Sequence, residues 1–208
     1  MDTWFETLRQ ELTGPLPGTE AQLQMAPSPI RMPGKEIPPA KGSVMILLYP
    51  FRKEVCIVFI KRATYDGVHS GQISFPGGMH ESGDESGFAT ALRETEEEIG
   101  IPRNSMTVIG KLTSLHIPVS NVDVLPVVSV MESKPCYVPD PNEVEFIIEA
   151  RMTDLIHPAT RKSKKLRVGD LDIEAPYYDV GGNHIWGATA MILSEFLEIV
   201  KKIYLVKL

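Results

Sequence analysis

Three glutamates, Glu94, Glu97 and Glu98, stand at positions i, i+3 and i+4, the spacing that sets side chains on one face of a helix. They span roughly a 100° arc of such a helix, beside an apolar face formed by Leu92, Thr95 and Ile99. Like charges so placed destabilise an isolated helix by a few tenths of a kcal/mol per pair, and the helix dipole disfavours negative charge near a C-terminal end. A helix that carries both penalties is suited to holding cations, and several carboxylates with oxygen-only donors suit Mg²⁺ or Mn²⁺. A solvated acidic face tempered by Arg93 accounts equally for the carboxylates taken alone. Ahead of them, Pro76-Gly77-Gly78 permits tight backbone and close approach of a ligand or metal. Strand, Gly-rich loop and acidic helix together make a site that grips a metal-bridged polyanion.

The elements that position this segment follow from periodicity. The helix is expected from about 84 to 99, with Phe88, Ala91, Leu92, Thr95 and Ile99 buried and Gly100 and Pro102 ending it. Two apolar runs, 45–50 and 55–62, read as a hairpin of largely buried strands. Further strands are expected at 72–75, 106–115, 124–131, 144–151 and near 165–168 and 173–180. A helical turn is expected at 153–156 and a long helix from about 187 to 204. The order is mixed α/β, a sheet with helices packed on it. Residues 4–12 read as a short helix, followed by a stretch so rich in Pro that no regular structure is expected to about residue 40. The division is therefore an N-terminal helix and Pro-rich arm, 1–42, and a domain, 43–208. The arm either wraps the domain or trails from it.

Composition narrows the classes. The 208 residues, 43% hydrophobic and 23% charged, exclude disorder of the whole chain and suffice for a sizeable core. A net charge of −6 argues against non-specific nucleic-acid binding, and an anionic substrate then needs bound cations to reverse the local field. No apolar run is long enough for a bilayer, and the start lacks a basic-then-apolar export signal, so a cytoplasmic protein with no membrane partner is expected. Cys56 and Cys136 are the only cysteines, too few for a disulfide framework or thiolate metal site. The five histidines have no paired zinc spacing, and Ser70 and Ser74 lack the flanks of a nucleophile elbow.

The run Arg93-Glu94-Thr95-Glu96-Glu97-Glu98-Ile99-Gly100-Ile101 closely resembles the second half of the Nudix hydrolase signature, with Thr95 where an aliphatic is usual. In the first half, the position of the family's glycine, 14 residues before the arginine, is Met79, with Gly78 one residue early. Glu85 takes the family's acidic position and Asp84 adjoins it. This one-residue offset is similar to the coenzyme A pyrophosphatase-like subgroup, which usually has an acid where Asp84 stands. Arg62, His69, Gly71-Gln72, Phe75-Pro76-Gly77-Gly78 and the segment 184–197 also resemble that subgroup. The resemblance covers most of residues 44–200 and implies a Nudix-type α/β/α sandwich with a mixed central sheet.

It further implies metal-dependent cleavage of a diphosphate bond in a nucleoside diphosphate linked to another group, a small molecule, with Mg²⁺ or Mn²⁺ as cofactor. Coenzyme A or its acyl derivatives, giving 4′-phosphopantetheine and 3′,5′-ADP, are the favoured substrates. Glu94, Glu97 and Glu98 would bind the metals, Asp84 or Glu85 would add a ligand or fix the helix start, and Arg93 would orient the glutamates. Arg62, His69, Gly77 and Gly78 would border the substrate. The general base is a helix glutamate or a distal acid, Glu143 or Glu145, both of which also read as ordinary strand-edge acids. Ala63 and Asp66-Gly67 depart from the subgroup, and loss of a basic residue there is expected to weaken or change specificity. The rival readings are the same chemistry on ADP-ribose or a dinucleotide, and a Nudix-fold sensing module without turnover. Arg161, Lys162, Lys164, Lys165 and Arg167 form either a solvated basic loop or a grip for a terminal phosphate. The arm and the exposed-looking strands could support a homodimer.

Overall fold

In the computed structural model, residues 2–28, 38–64, 71–168 and 171–205 are described. The chain begins with helix α1 (Asp2–Thr13), on which Trp4, Leu8 and Leu12 recur every four residues and are buried. A second helix, α2 (Gly18–Leu23), follows directly, in a stretch whose prolines argued against regular structure. Pro15 and Pro17 lie ahead of this helix rather than inside it, where no backbone N–H is lost. Its Ala21 and Gln22 are buried, so packing, not propensity, forms it.

The two apolar runs form strands β1 (Ala40–Phe51) and β2 (Glu54–Arg62), an antiparallel hairpin. The next strands are short, β3 (Ile73–Ser74) and β4 (Gly77–Met79), and α3 (Gly87–Ile99) follows. Pro76-Gly77-Gly78 is thus not an open loop. Gly77 and Gly78 pair with Val44 and Ser43 of β1. The expected strand at 106–115 is two, β5 (Thr107–Lys111) and β6 (Leu115–Ile117), each pairing with β7 (Val122–Val130). Then come β8 (Val144–Arg151) and a single-turn helix, α4 (Met152–Leu155).

These strands make one eight-stranded sheet with a path β3-β2-β1-β7-β5, on which β4, β6 and β8 pair with β1, β7 and β2. It is mixed, because β1 and β7 run parallel and the other pairs antiparallel. Strands buried on both faces read as unbroken apolar runs rather than alternations, hence the sequence of β1 and β2. Met45, Leu47, Tyr49, Val58 and Ile60 face one layer, where α3 packs through Ala91 and Ile99. Ile46, Leu48, Ile57 and Phe59 face the other, with α1 and α5 (Gly187–Leu205).

A second, three-stranded antiparallel sheet holds β9 (Arg161–Val168), β10 (Leu171–Val180) and β11 (Asn183–Trp186). The basic run 161–167 is therefore a strand, not a loop. It is stabilised across the hairpin by acids, with Lys162 2.7 Å from Asp179 and Lys165 opposite Glu174. Strand β11 had no separate signal, since the sequence reads as the approach to α5.

The N-terminal segment is fastened to the domain by one buried carboxylate. Glu195 of α5 accepts from the backbone N–H of Gly18 and Thr113 at 3.1 and 3.2 Å, and from Gln22 Nε2 at 2.8 Å. Ser28 then makes two backbone hydrogen bonds with Glu174 of β10. No described helix is long and apolar enough to cross a membrane.

Candidate active site

The acidic helix α3 starts at Gly87, three residues later than its periodicity suggests, because Ser86 is its cap and accepts from the N–H of Ala89 at 3.3 Å. It ends at Gly100, whose φ of 71° places it in the left-handed region. A side chain at Gly100 would meet Val138 at 2.7 Å. The segment after β7 closes over this end, where Val138 and Asp140 donate their N–H groups to the carbonyls of Ile99 and Glu98. The last turn is thus satisfied by backbone from elsewhere.

Asp84 and Glu85 lie before the helix and differ sharply. Asp84 receives Nε and Nη2 of Arg93 at 3.0 and 2.9 Å, the Thr90 hydroxyl at 3.0 Å and the Glu81 N–H at 3.0 Å. These contacts, the Arg93 fork foremost, hold its carboxyl well below the usual carboxylate range. Its oxygens are so engaged that it anchors Arg93 rather than presenting a free metal donor. Glu85 is exposed, and among the described residues no hydrogen bond or ion pair joins it to the helix carboxylates.

Arg93 is the hub. Besides Asp84 it donates to the Met79 carbonyl at 2.9 Å, and its Nη1 reaches Glu94 at 3.0 Å and Glu97 at 2.8 Å. This bonding raises the guanidinium pKa further, Asp84 contributing most. With its donors occupied by protein oxygens, Arg93 sets the positions of two glutamates and of the β4 backbone.

The three helix glutamates occupy graded environments. Glu97 is 53% exposed, Glu94 13% and Glu98 1%. Burial pushes Glu98 up to about 7, opposed by the Arg62 charge and the Gly77 N–H and reinforced by the charges of Glu94 and Glu143. Arg62 Nη1 lies 3.1 Å from its Oε1, and Gly77 donates its N–H to Oε2 at 2.8 Å. Glu94 is raised first by burial, with Arg93 opposing and the charges of Glu97 and Glu143 adding.

Gly77 explains the need for glycine in β4. Its φ of 150° is rare for an L side chain, and a Cβ would fall 2.3 Å from the Ser43 carbonyl oxygen. A Cβ on Gly78 would fall 2.5 Å from the Glu94 carboxylate. The two glycines bring β4 flush against β1 and directly under the acidic face.

The structure therefore brings together Glu94, Glu97, Glu98, Arg93, Asp84, Gly77 and Gly78. It places Arg62 on Glu98 rather than facing an open cavity. Glu143, in the turn immediately before β8, is exposed, and its charge acts on both Glu94 and Glu98. Glu145 is exposed further along that strand. His69 lies outside the described residues, as do Asp66 and Gly67. Sequence reasoning missed the Gly77 N–H and the Met79 carbonyl as partners, because backbone groups leave no trace in residue type.

Among the described residues no three carboxylate, imidazole or thiolate groups converge as a finished metal cage. The donor set nonetheless fits a hard divalent ion: all donors are oxygen, and Glu94 and Glu98 are raised by burial first and then by neighbouring carboxylate charges, Glu97 and Glu143 on Glu94, Glu94 and Glu143 on Glu98. Mg²⁺ usually takes one or two carboxylates and completes its shell with water and substrate phosphate, not with an all-protein cage.

The sequence profile described as NUDIX domain matches residues 39–167. The chain is 31% identical over 172 residues to "Nudix hydrolase 22, chloroplastic" of Arabidopsis thaliana, covering 78% of this chain and 56% of that protein. It thus spans little more than half of that relative's length. It is 27% identical over 180 residues to "Uncharacterized Nudix hydrolase NudL" of Photorhabdus laumondii, covering 86% of this chain and 94% of that one. A crystal structure of a MutT/nudix family protein from Enterococcus faecalis aligns with a TM-score of 0.54 at 18% identity, over 83% of this chain and 66% of that one, which is a likeness of fold. With the signature on α3, the mixed sheet that carries it and the matched profile in agreement, the chain belongs to the Nudix domain family.

Proposed function

We propose that the chain hydrolyses the diphosphate bond of a nucleoside diphosphate derivative with Mg²⁺ or Mn²⁺, coenzyme A or acyl-coenzyme A being the favoured substrate. The observation that carries this reading is the acidic face of α3, where Glu94 and Glu97 are held by Arg93 and Glu98 by Arg62 and Gly77. The names of the relatives as hydrolases support the reaction class. The subgroup-like residues Gly71-Gln72 and Phe75-Pro76-Gly77-Gly78 support the choice of substrate.

Glu94, Glu97 and Glu98 would hold the cations, which when bound neutralise phosphate oxygens and lower the pKa of a bound water. Half-exposed Glu97 is held from one side, by Arg93, whereas Glu98 is fixed from two, by Arg62 and Gly77, and offers a metal only the lone pairs those bonds leave. Arg93 positions and does not touch substrate. The oxygen of one water bonds to a phosphorus while the bridging P–O bond breaks, leaving each product with one of the two phosphoryl groups of the former diphosphate. Glu143, whose charge reaches the helix carboxylates, is the candidate to take that water's proton.

The test is incubation with coenzyme A, ADP-ribose and a dinucleotide separately, with Mg²⁺ or Mn²⁺, and product identification by mass spectrometry. Cleavage of coenzyme A to 4′-phosphopantetheine and 3′,5′-ADP, lost in Glu97→Gln, is expected. Cleavage of another diphosphate alone would keep the reaction and overturn the substrate. Cleavage of none would overturn both and favour a sensing module.

A further inference from the structure

Where the small sheet meets the edge of the large one there is a cavity of about 270 Å³, lined among others by Lys61, Ile73, Lys164, Asn183, His184 and Trp186. Its two lysines come from different sheets. Lys61 is the penultimate residue of β2 and donates to the Gly71 carbonyl. Lys164, on β9, stands 5.1 Å over the Tyr177 ring, and its Nζ lies 3.1 Å from His184 Nδ1. An ammonium can only donate, so Nδ1 of His184 accepts and its proton sits on Nε2, a further donor.

Both lysines are half-buried, and among the described residues neither forms an ion pair with a carboxylate. The contrast with the same strand is informative. Lys162 is neutralised by Asp179, and Lys165 faces Glu174 in the register, whereas Lys164 stands opposite Ala175. Two half-buried cations with no carboxylate partner among the described residues, in a chain of net charge −6, gain from an anion placed beside them. Among the described residues that line the cavity, Asn183, His184 and Trp186 carry N–H groups and none has a carboxylate. Two cations and several N–H groups, with no carboxylate among the described lining residues, suit a group with several anionic oxygens.

The cavity also has a covalent path to the acidic helix. Lys61 precedes Arg62, which pairs with Glu98, and Ile73 lies four residues before Gly77, which bonds the same carboxylate.

We propose that this cavity is a phosphomonoester subsite: the substrate carries a phosphate besides the diphosphate that is cut, and Lys61 and Lys164 bind it. The proposal rests on the diphosphate-hydrolase reading for the role of the subsite, but its binding chemistry is measurable without turnover.

The experiment is calorimetric titration of the metal-free protein with 3′,5′-ADP and with 5′-AMP. The wild type is expected to bind 3′,5′-ADP about tenfold tighter, the value of one charge-assisted contact. Lys164→Gln and Lys61→Gln should each erase that preference while leaving 5′-AMP affinity unchanged. Lys165→Ala, on the other face of β9 and of the same charge change, should keep it. Equal binding of the two nucleotides by the wild type, or a preference that survives Lys164→Gln in a protein with wild-type melting temperature, overturns the subsite. Should Lys164→Gln melt early, Lys61→Gln alone decides. Loss of preference without any hydrolysis in the substrate panel would retain the subsite and reject the hydrolase reading.

Discussion

A carboxylate as enclosed as Glu98 is expensive to ionise, and its surroundings only partly offset that expense. Its proton affinity rises from the ordinary 4.5 to about 7. The unfolded chain releases this proton near 4.5 and the folded chain near 7, so the native state binds the extra proton between those values. The stabilisation is complete below about 4.5 and is lost as pH rises through 7, by up to about 3 kcal/mol. Denaturant titration of metal-free protein at pH 5 and pH 8 should show wild type losing more stability than Glu98→Gln over that interval, and parallel losses would contradict it. Arg93 yields a second prediction. Lysine keeps the charge but not the fork that reaches Asp84, Met79, Glu94 and Glu97 together. Arg93→Lys should therefore lower stability by roughly 2 kcal/mol and reduce kcat more than KM changes. Unchanged kcat with intact folding would show that the hub does not position the glutamates.

Strand β4 and the N-terminal helices are where element-level packing decides the outcome. Gly77→Ala forces a Cβ into the β1 backbone and should cost about 3 kcal/mol, read as a drop in melting temperature. Gly83→Ala, where nothing lies within 4 Å of the new Cβ, is the matched control. Glu195→Ala leaves the N–H groups of Gly18 and Thr113 without their acceptor and Gln22 Nε2 with only the Thr113 carbonyl, and should cost about 3 kcal/mol. A near-neutral result would mean that residues 2–28 do not depend on this carboxylate. The acidic helix was legible because its apolar residues keep a helical period and Gly100 ends it. Strands β1 and β2 were legible because burial on both faces leaves uninterrupted Val, Ile and Leu. Helix α2 was not, since six residues after two prolines carry no period and depend on Gln22 meeting Glu195. Of β9 only the end, near 165–168, was legible, since the Lys and Arg of its first half reveal strand character only against Asp179 and Glu174 across the hairpin. At the site, residue types pointed to Glu94, Glu97, Glu98 and Arg93. They did not show that Asp84 serves Arg93, nor that Arg62 is spent on Glu98, because both depend on which side chains the sheet edge brings within 3 Å.

For the molecule as a whole, the acidic helix α3 lies on a sheet whose other face is covered by α1 and α5, so its carboxylate face is built on the rigid core rather than on a loop. Binding to the folded state alone must raise stability. Millimolar Mg²⁺ or Mn²⁺ should raise the melting temperature of wild type by several degrees and that of Glu97→Gln by less. The central claim, that the α3 carboxylates support metal-dependent diphosphate hydrolysis, is tested most directly by turnover of a diphosphate substrate with and without EDTA. The prediction is release of the two halves of the diphosphate, each ending in one phosphate from the cut linkage, with Mg²⁺ or Mn²⁺, abolished by EDTA and reduced about 100-fold or more in Glu97→Gln. Turnover that survives EDTA, or a Glu97→Gln variant as active as wild type, would contradict it.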